Sequence, residues 1–148
     1  MRVLALASGG GHWVQLRRMA PAFEGLDVAF ASVYQDYAND VPGSRYYAFD
    51  DVNRFRKMDT FKVAWQILGI LRRERPDVVV TTGAGPGLIA LILAKYIMRR
   101  RTIWIDSIAN CETLSGSGKA AGKIADIWLT QWEHLADEAG PKYWGSVL

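Results

Sequence analysis

A strand-like run, Val3–Ala7, feeds directly into Ser8-Gly9-Gly10-Gly11-His12 and then into a helical pattern. The same device recurs downstream, where Val78–Thr82 is followed by Gly83-Ala84-Gly85-Pro86-Gly87 and an apolar helical run. Glycines between a buried strand and a helix let the chain reverse within a few residues, because no Cβ obstructs the turn. Further strand-like runs fall at Asp27–Ala31, Tyr46–Phe49, Thr102–Ile105 and Ile127–Gln131, and helical spacing covers about 13–23, 60–73 and 87–98. Strand and helix alternating in this way predict right-handed βαβ units, a parallel sheet with helices on both faces. The expected fold is therefore α/β and Rossmann-like. With 148 residues, a single domain over 1–148 is expected.

Composition narrows the classes further. Half the residues are hydrophobic and 22% are charged, which excludes a disordered chain. One cysteine, Cys111, excludes an internal disulfide, and two histidines give no metal-ligand spacing, so no metal is expected. A reducing, cytoplasmic setting fits this usage. Met1-Arg2 leads straight into a strand, so no secretory signal is expected. The net charge is only +3 but is clustered, notably at Arg99-Arg100-Arg101. Gly87–Met98, apolar almost all round, precedes that run. Twelve residues make about 18 Å of helix, short of a hydrocarbon core of about 30 Å. The segment is either a membrane-surface helix ending in cationic headgroup contacts or a helix buried between sheet and partner. No nucleic-acid partner is expected.

On a parallel sheet, ligands sit outside the carboxyl ends of the strands, where the strand order switches. The loops there carry the candidates. Ser8, Gly9, Gly10 and Gly11 open one helix, and Gly83, Gly85 and Gly87 open another. A helix start offers free N–H groups and a positive dipole end, which suit a phosphate. The first loop is no dinucleotide fingerprint, since position 14 is valine, and alone it fits a tight turn as well as a ligand site. Two such loops at one sheet edge favour a diphosphate or similar anion. Asp50–Met58 adds Arg54, Arg56 and Lys57, and Asp106–Gly118 adds Asp106, Asn110, Glu112 and Ser115.

The Ser-Gly-Gly-Gly-His start, Pro76-Asp77-Val78-Val79-Val80-Thr81-Thr82-Gly83-Ala84-Gly85-Pro86-Gly87, Trp104-Ile105-Asp106-Ser107, Leu114-Ser115-Gly116-Ser117-Gly118-Lys119, Ala125-Asp126 and Gln131-Trp132-Glu133 together resemble the small subunit of two-component glycosyltransferases. That group takes in PssD-type bacterial polysaccharide subunits and the membrane-recruiting subunit of the eukaryotic dolichol-diphosphate N-acetylglucosaminyltransferase. The resemblance runs nearly end to end. It implies the N-terminal, acceptor-side half of a GT-B glycosyltransferase, completed by a separate C-terminal half that binds the UDP-sugar. This chain would then bind no cofactor itself and be inactive without its partner. The implied acceptor is a polyprenyl-diphosphate-linked saccharide, and the implied location is peripheral, on the cytoplasmic face of the cell membrane. The loop is also similar to, though shorter than, the Gly-Gly-X-Gly-Gly-His loop of the peptidoglycan N-acetylglucosaminyltransferase, which suggests that Gly9-Gly10-Gly11-His12 cradles the acceptor diphosphate. Two departures stand out: eukaryotic relatives carry a membrane-spanning N-terminal segment not seen here, and Asp106 stands where many relatives have glutamate.

Sugar transfer to a hydroxyl needs a base, and stabilisation of the departing diphosphate. His12, Asp106 and Glu112 are the base candidates. His12 could equally be a structural histidine at the helix start, and Asp106 could equally brace a loop by accepting N–H bonds. Arg54 and Arg56 are expected to clamp the acceptor diphosphate or face lipid headgroups. Trp132, Tyr143 and Trp144 are expected at the partner interface. The competing function is a non-catalytic membrane adaptor that recruits and activates its partner; a stand-alone nucleotide-binding protein is disfavoured by the missing fingerprint.

Overall fold

The structure is a computed structural model that describes residues 1–52 and 56–147. Among the described residues, seven strands form one parallel sheet: β1 (Arg2–Leu6), β2 (Asp27–Ser32), β3 (Arg45–Ala48), β4 (Val78–Thr81), β5 (Arg101–Ile105), β6 (Ile127–Thr130) and β7 (Lys142–Tyr143). Their order is β3-β2-β1-β4-β5-β6-β7, so the chain builds outward from β1 in one direction, returns, and builds outward from β4 in the other. The expected Rossmann-like parallel sheet is the observed one.

Side-chain alternation along the central strands serves two cores. On one face, Leu4, Leu6, Val79 and Trp104 pack with Val63, Ile67 and Leu71 of α2 (Lys57–Glu74) and with Ala90 and Leu91 of α3 (Gly85–Ile92). On the other, Ala5, Ala7 and Phe30 meet Trp13 and Leu16 of α1 (Gly11–Arg18). Val3, Val78, Val80, Ile105 and Leu129 continue that second face. A short helix, α4 (Gly116–Ala121), precedes β6 and was not anticipated; four of its six residues are glycine or alanine and it has no apolar stripe, and Ser115 caps it through Gly118 N–H.

Several boundaries differ for local reasons. The helix expected over 13–23 ends at Arg18 and continues as a 3₁₀ turn, Ala20–Phe23, because Pro21 cannot donate to the α ladder. The helix expected over 87–98 starts at Gly85, with Pro86 in its first turn, and widens into a π-helical turn over Leu93–Ile97. Neither β7 nor the 3₁₀ turn Gln35–Asp40 carries a periodic pattern that a sequence reading could use.

The amino edge of the sheet is closed by charge. Arg45 Nη2 donates to Asp27 Oδ1 at 2.7 Å and to Glu74 Oε2 at 2.9 Å, and Arg45 Nε also reaches both Glu74 oxygens. Tyr47 Oη donates to Glu74 at 2.5 Å. Glu74 is only 7% exposed, and the Arg45 guanidinium, opposed in part by burial, holds its carboxyl below the ordinary 4.5. A depressed folded pKa gives stability that is complete above the unfolded value and lost as pH falls through the folded one. Replacing Arg45 with methionine should therefore cost about 1–3 kcal/mol at pH 7, the penalty of an under-satisfied buried charge. Urea unfolding at pH 7 and pH 3 checks this, and the gap between parent and variant should shrink at pH 3.

Candidate functional site

The strand order reverses between β1 and β4, so the crevice of this fold opens where their carboxyl ends diverge. The loops leaving those two strands are fastened to each other. Ser8 N–H donates to the Gly83 carbonyl at 2.8 Å, and Ala84 N–H donates to Ser8 Oγ at 3.1 Å. His12 and Thr82 bond reciprocally: the ring Nδ1 lies 2.8 Å from the Thr82 carbonyl, and Thr82 Oγ1 donates to the His12 carbonyl at 2.7 Å. A carbonyl can only accept, so the neutral ring carries its proton on Nδ1 and leaves Nε2 as the basic nitrogen.

Neither α1 nor α3 has a side-chain cap, so both present free first-turn N–H groups at this edge. A cavity of about 420 Å³ lies between the glycine loop after β1 and the start of α3, walled by Ser8, Gly9, Gly85, Pro86, Tyr34 and Asp51 among others; Gly11 and His12 of α1 are not among its walls. A larger hollow of about 560 Å³, bordered by Phe23, Val28, Phe30 and Arg45, lies beside β2 and away from both helix starts, so we regard the smaller as the candidate site. Tyr34, which the sequence reading passed over, is 57% exposed and lies against Gly9, where a Cβ would come within 2.8 Å of the ring. A tyrosine next to a short loop gives no sequence signal; only the fold brings it over the glycine.

The predicted glycines divide by role. Gly9 and Gly85 wall the cavity, while Gly10 takes φ 68° and donates its N–H to Tyr37 Oη at 3.0 Å. Gly11 begins α1 in the open. Gly83 lies under the His12 ring, where a Cβ would come within 3.0 Å of Nδ1. Gly87 also has a packing role: a Cβ there would run into the Thr81 hydroxyl, so this glycine lets α3 pack against β4.

Asp106 stands at the end of β5 and is 2% exposed. One oxygen accepts from Trp104 Nε1 at 3.1 Å and Ser115 Oγ at 2.7 Å; the other accepts from Ser115 N–H at 3.1 Å and Asn110 Nδ2 at 3.3 Å. Four donors occupy the lone-pair directions of a carboxylate. Of the two roles foreseen for Asp106, the geometry matches the brace, which pins the loop after β5. Glu112 is exposed on that loop and is not a wall of the cavity. Buried amides tie the same loop to α1 and the chain end. Gln15 Nε2 donates to Ser107 Oγ at 3.0 Å, Gln131 Nε2 donates to Gln15 Oε1 at 2.7 Å, and Val147 N–H donates to Gln131 Oε1 at 3.0 Å.

The remaining candidates scatter. Arg56 is exposed at the start of α2 and does not wall the cavity, and Arg54 lies outside the described residues. Arg99 and Arg101 are exposed, whereas Arg100 is half-buried with Nε unpartnered, so the three do not share one face. Arg99 and Arg100 precede β5 and Arg101 opens it, at the amino edge. Trp132 is used within the chain, donating Nε1–H to the Ile108 carbonyl at 2.7 Å, while Tyr143 and Trp144 are 39% and 70% exposed. Among the described residues no helix is long and apolar enough to cross a membrane.

A parallel sheet with a crevice at its switch point defines a Rossmann-like unit. Solved structures agree on the fold: MurG from Acinetobacter baumannii superposes with a TM-score of 0.75 at 13% identity, covering 95% of this chain and 44% of that one. A UDP-N-acetylglucosamine 2-epimerase from Rickettsia bellii gives 0.72 at 17% identity, covering 99% and 45%. Residues 54–147 match the family described as "Oligosaccharide biosynthesis protein Alg14 like", and the chain belongs to that family. Among relatives named UDP-N-acetylglucosamine transferase subunit ALG14, the one from Eremothecium gossypii is 31% identical over 60% of this chain and 45% of its own length. The human one is 23% identical over 93% and 78%.

The brace assignment predicts a stability effect. Asp106→Asn turns an amide N–H₂ toward existing donors and should cost about 1–3 kcal/mol. Urea unfolding of the purified chain reads this directly.

Proposed function

We propose that this chain is the acceptor-side subunit of a UDP-N-acetylglucosamine transferase, completed by a separate donor-binding GT-B half. In this reading it acts on a polyprenyl-diphosphate-linked saccharide in bacterial polysaccharide assembly of the PssD type, peripherally on the cytoplasmic face of the membrane. The supporting observation is one cavity at the switch point walled by the glycine loop after β1 and by the uncapped start of α3. Their free N–H groups suit a diphosphate. The names of the relatives supply the sugar and the idea of a subunit.

Within this reading the residues divide the work. The N–H groups of Gly9 and Gly85, which wall the cavity, hold the acceptor diphosphate, those of Ser8, Gly10, Gly83 and Ala84 being spent within the chain, and Tyr34 offers a flat wall for the first sugar ring. Asp51 also borders the cavity and opposes an anion; it is exposed, accepts the Val52 N–H at 2.8 Å, and is screened by solvent. His12 Nε2 takes the proton of the attacking hydroxyl, and Asp106 positions the loop beside it. Tyr143 and Trp144 meet the donor-binding half, which brings the UDP-sugar. The adaptor alternative draws support from the saturation of Asp106 and from His12 not being among the residues that wall the cavity.

Reconstitution tests the proposal. The chain alone should transfer no N-acetylglucosamine from UDP to a polyprenyl-diphosphate saccharide, and adding the donor-binding partner should restore transfer; turnover by the isolated chain would sink the split-enzyme reading. In the assembled pair, His12→Ala should lower kcat by about 10²–10⁴ with a smaller change in acceptor KM. Near-parental kcat in a folded, partner-bound His12→Ala variant would make the chain an adaptor.

A further inference from the structure

The outward face of α2 carries a surplus that the fold does not need. Val63, Ile67, Ile70, Leu71 and Glu74 point inward and complete the buried side of the helix. On the opposite side, Met58, Phe61 and Trp65 are 83%, 77% and 73% exposed. Spaced i, i+3 and i+7, they form one stripe over the first turns of the helix. The same face continues as Gly69 and Arg72, so its apolar part ends midway.

Topology places that stripe. The helix leaves β3 at the carboxyl edge of the sheet and delivers the chain to β4 at the amino edge, so its first turns stand at the crevice end. Asp51 and Val52, shortly before it, border the cavity. The Arg99–Arg101 run lies at the other end of the sheet, separated by the length of β5, about 13–16 Å at 3.3 Å per residue. Were those arginines the membrane contact, the crevice would open away from the bilayer and from any lipid-borne acceptor.

We infer that Met58, Phe61 and Trp65 form the lipid-facing surface of this chain, inserting into the interfacial layer beside the mouth of the crevice. A bilayer surface is the occupant that fits the chemistry: a tryptophan, a phenylalanine and a flexible methionine in one stripe, with the cations of Arg56, Lys57 and Lys62 on the same helix end. Lys62 also pairs with Asp50 at 2.6 Å, which leaves Arg56 and Lys57 as the principal headgroup contacts. The inference rests on the lipid-borne acceptor proposed above and names the surface that meets the lipid.

Co-sedimentation of the full chain with vesicles of three parts phosphatidylcholine to one part phosphatidylglycerol provides the test. The parent should bind, and most of the binding should survive 1 M salt, because insertion of apolar side chains is not screened. Met58→Ser/Phe61→Ser/Trp65→Ser should weaken binding by at least about tenfold, with an unchanged unfolding curve since all three are exposed. Arg99→Glu/Arg100→Glu/Arg101→Glu should stay within about threefold of the parent, the scale of peripheral charge effects. Trp65→Phe should bind nearly as well but lose most of the lipid-dependent blue shift in tryptophan emission. The inference is overturned if the parent does not bind, if the serine variant binds like the parent, or if only the glutamate variant loses binding. It is equally overturned if the stripe proves to be a protein interface, the parent being dimeric and the serine variant monomeric with no change on vesicles. A soluble short-prenyl acceptor separates this from the function itself: the serine variant, paired with its partner, should transfer to it at parental rate, and absence of transfer by the parent pair would count against the proposed function alone.

Discussion

The reciprocal bond between His12 and Thr82 holds the two halves of the sheet edge in register. Strands β1 and β4 pair along their length, but beyond Leu6 and Thr81 the ladder ends and the chains diverge into opposite helices. Side chain to backbone bonds in both directions, reinforced by Ser8 to Gly83 and Ala84, extend the pairing past the ladder. The loop after β1 and the start of α3 are thereby fixed around one cavity. The same contact sets the histidine tautomer, so one interaction governs both the shape of the crevice and which nitrogen is basic.

The coarse fold was legible because its signals are local and repeated. Four residues of Val-Val-Val-Thr between Asp77 and Thr82 can be little else than a buried parallel strand, and each glycine loop marks where a strand ends. What stayed hidden depends on neighbours distant in sequence. Asp106 reads as a base or a brace equally well until Trp104, Asn110 and Ser115 are found around it. Gln15 and Gln131, 116 residues apart, give no warning that they join. Gly87 reads as part of a phosphate loop, and its sequence gives no hint that it is also the flat spot that lets α3 meet Thr81. In each case the residue type was informative, and the partner that decides its role was not in view.

The α2 stripe shows the converse failure. A period of 3.6 over 60–73 identified the helix, but a periodicity argument assigns apolar residues to the core and cannot tell when there are more than the core uses. Only with Val63, Ile67 and Leu71 seen to fill the inward face do Met58, Phe61 and Trp65 emerge as surplus. The apolar run before Arg99 divides between two faces: Ala90, Leu91 and Ala94 belong to the core, whereas Ile92, Tyr96 and Ile97 are exposed.

Stability and function occupy opposite ends of the same strands. At the amino edge, charges are consumed in pairing: Arg45 with Glu74 and Asp27, and Lys95 with Asp126 at 3.3 Å. There the helix end of α2 is met by its own arginines, Arg72 and Arg73, as the dipole favours. At the carboxyl edge, α1 and α3 begin without side-chain caps, and the polar groups nearest them bond loop to loop rather than to the free N–H groups. Capping either helix would stabilise it by about 1 kcal/mol. α2 likewise begins without a side-chain cap, whereas Ser115 caps α4, and of the three uncapped starts α3 is the one whose residues wall the cavity, so its open N–H groups are those that the proposed anion would meet.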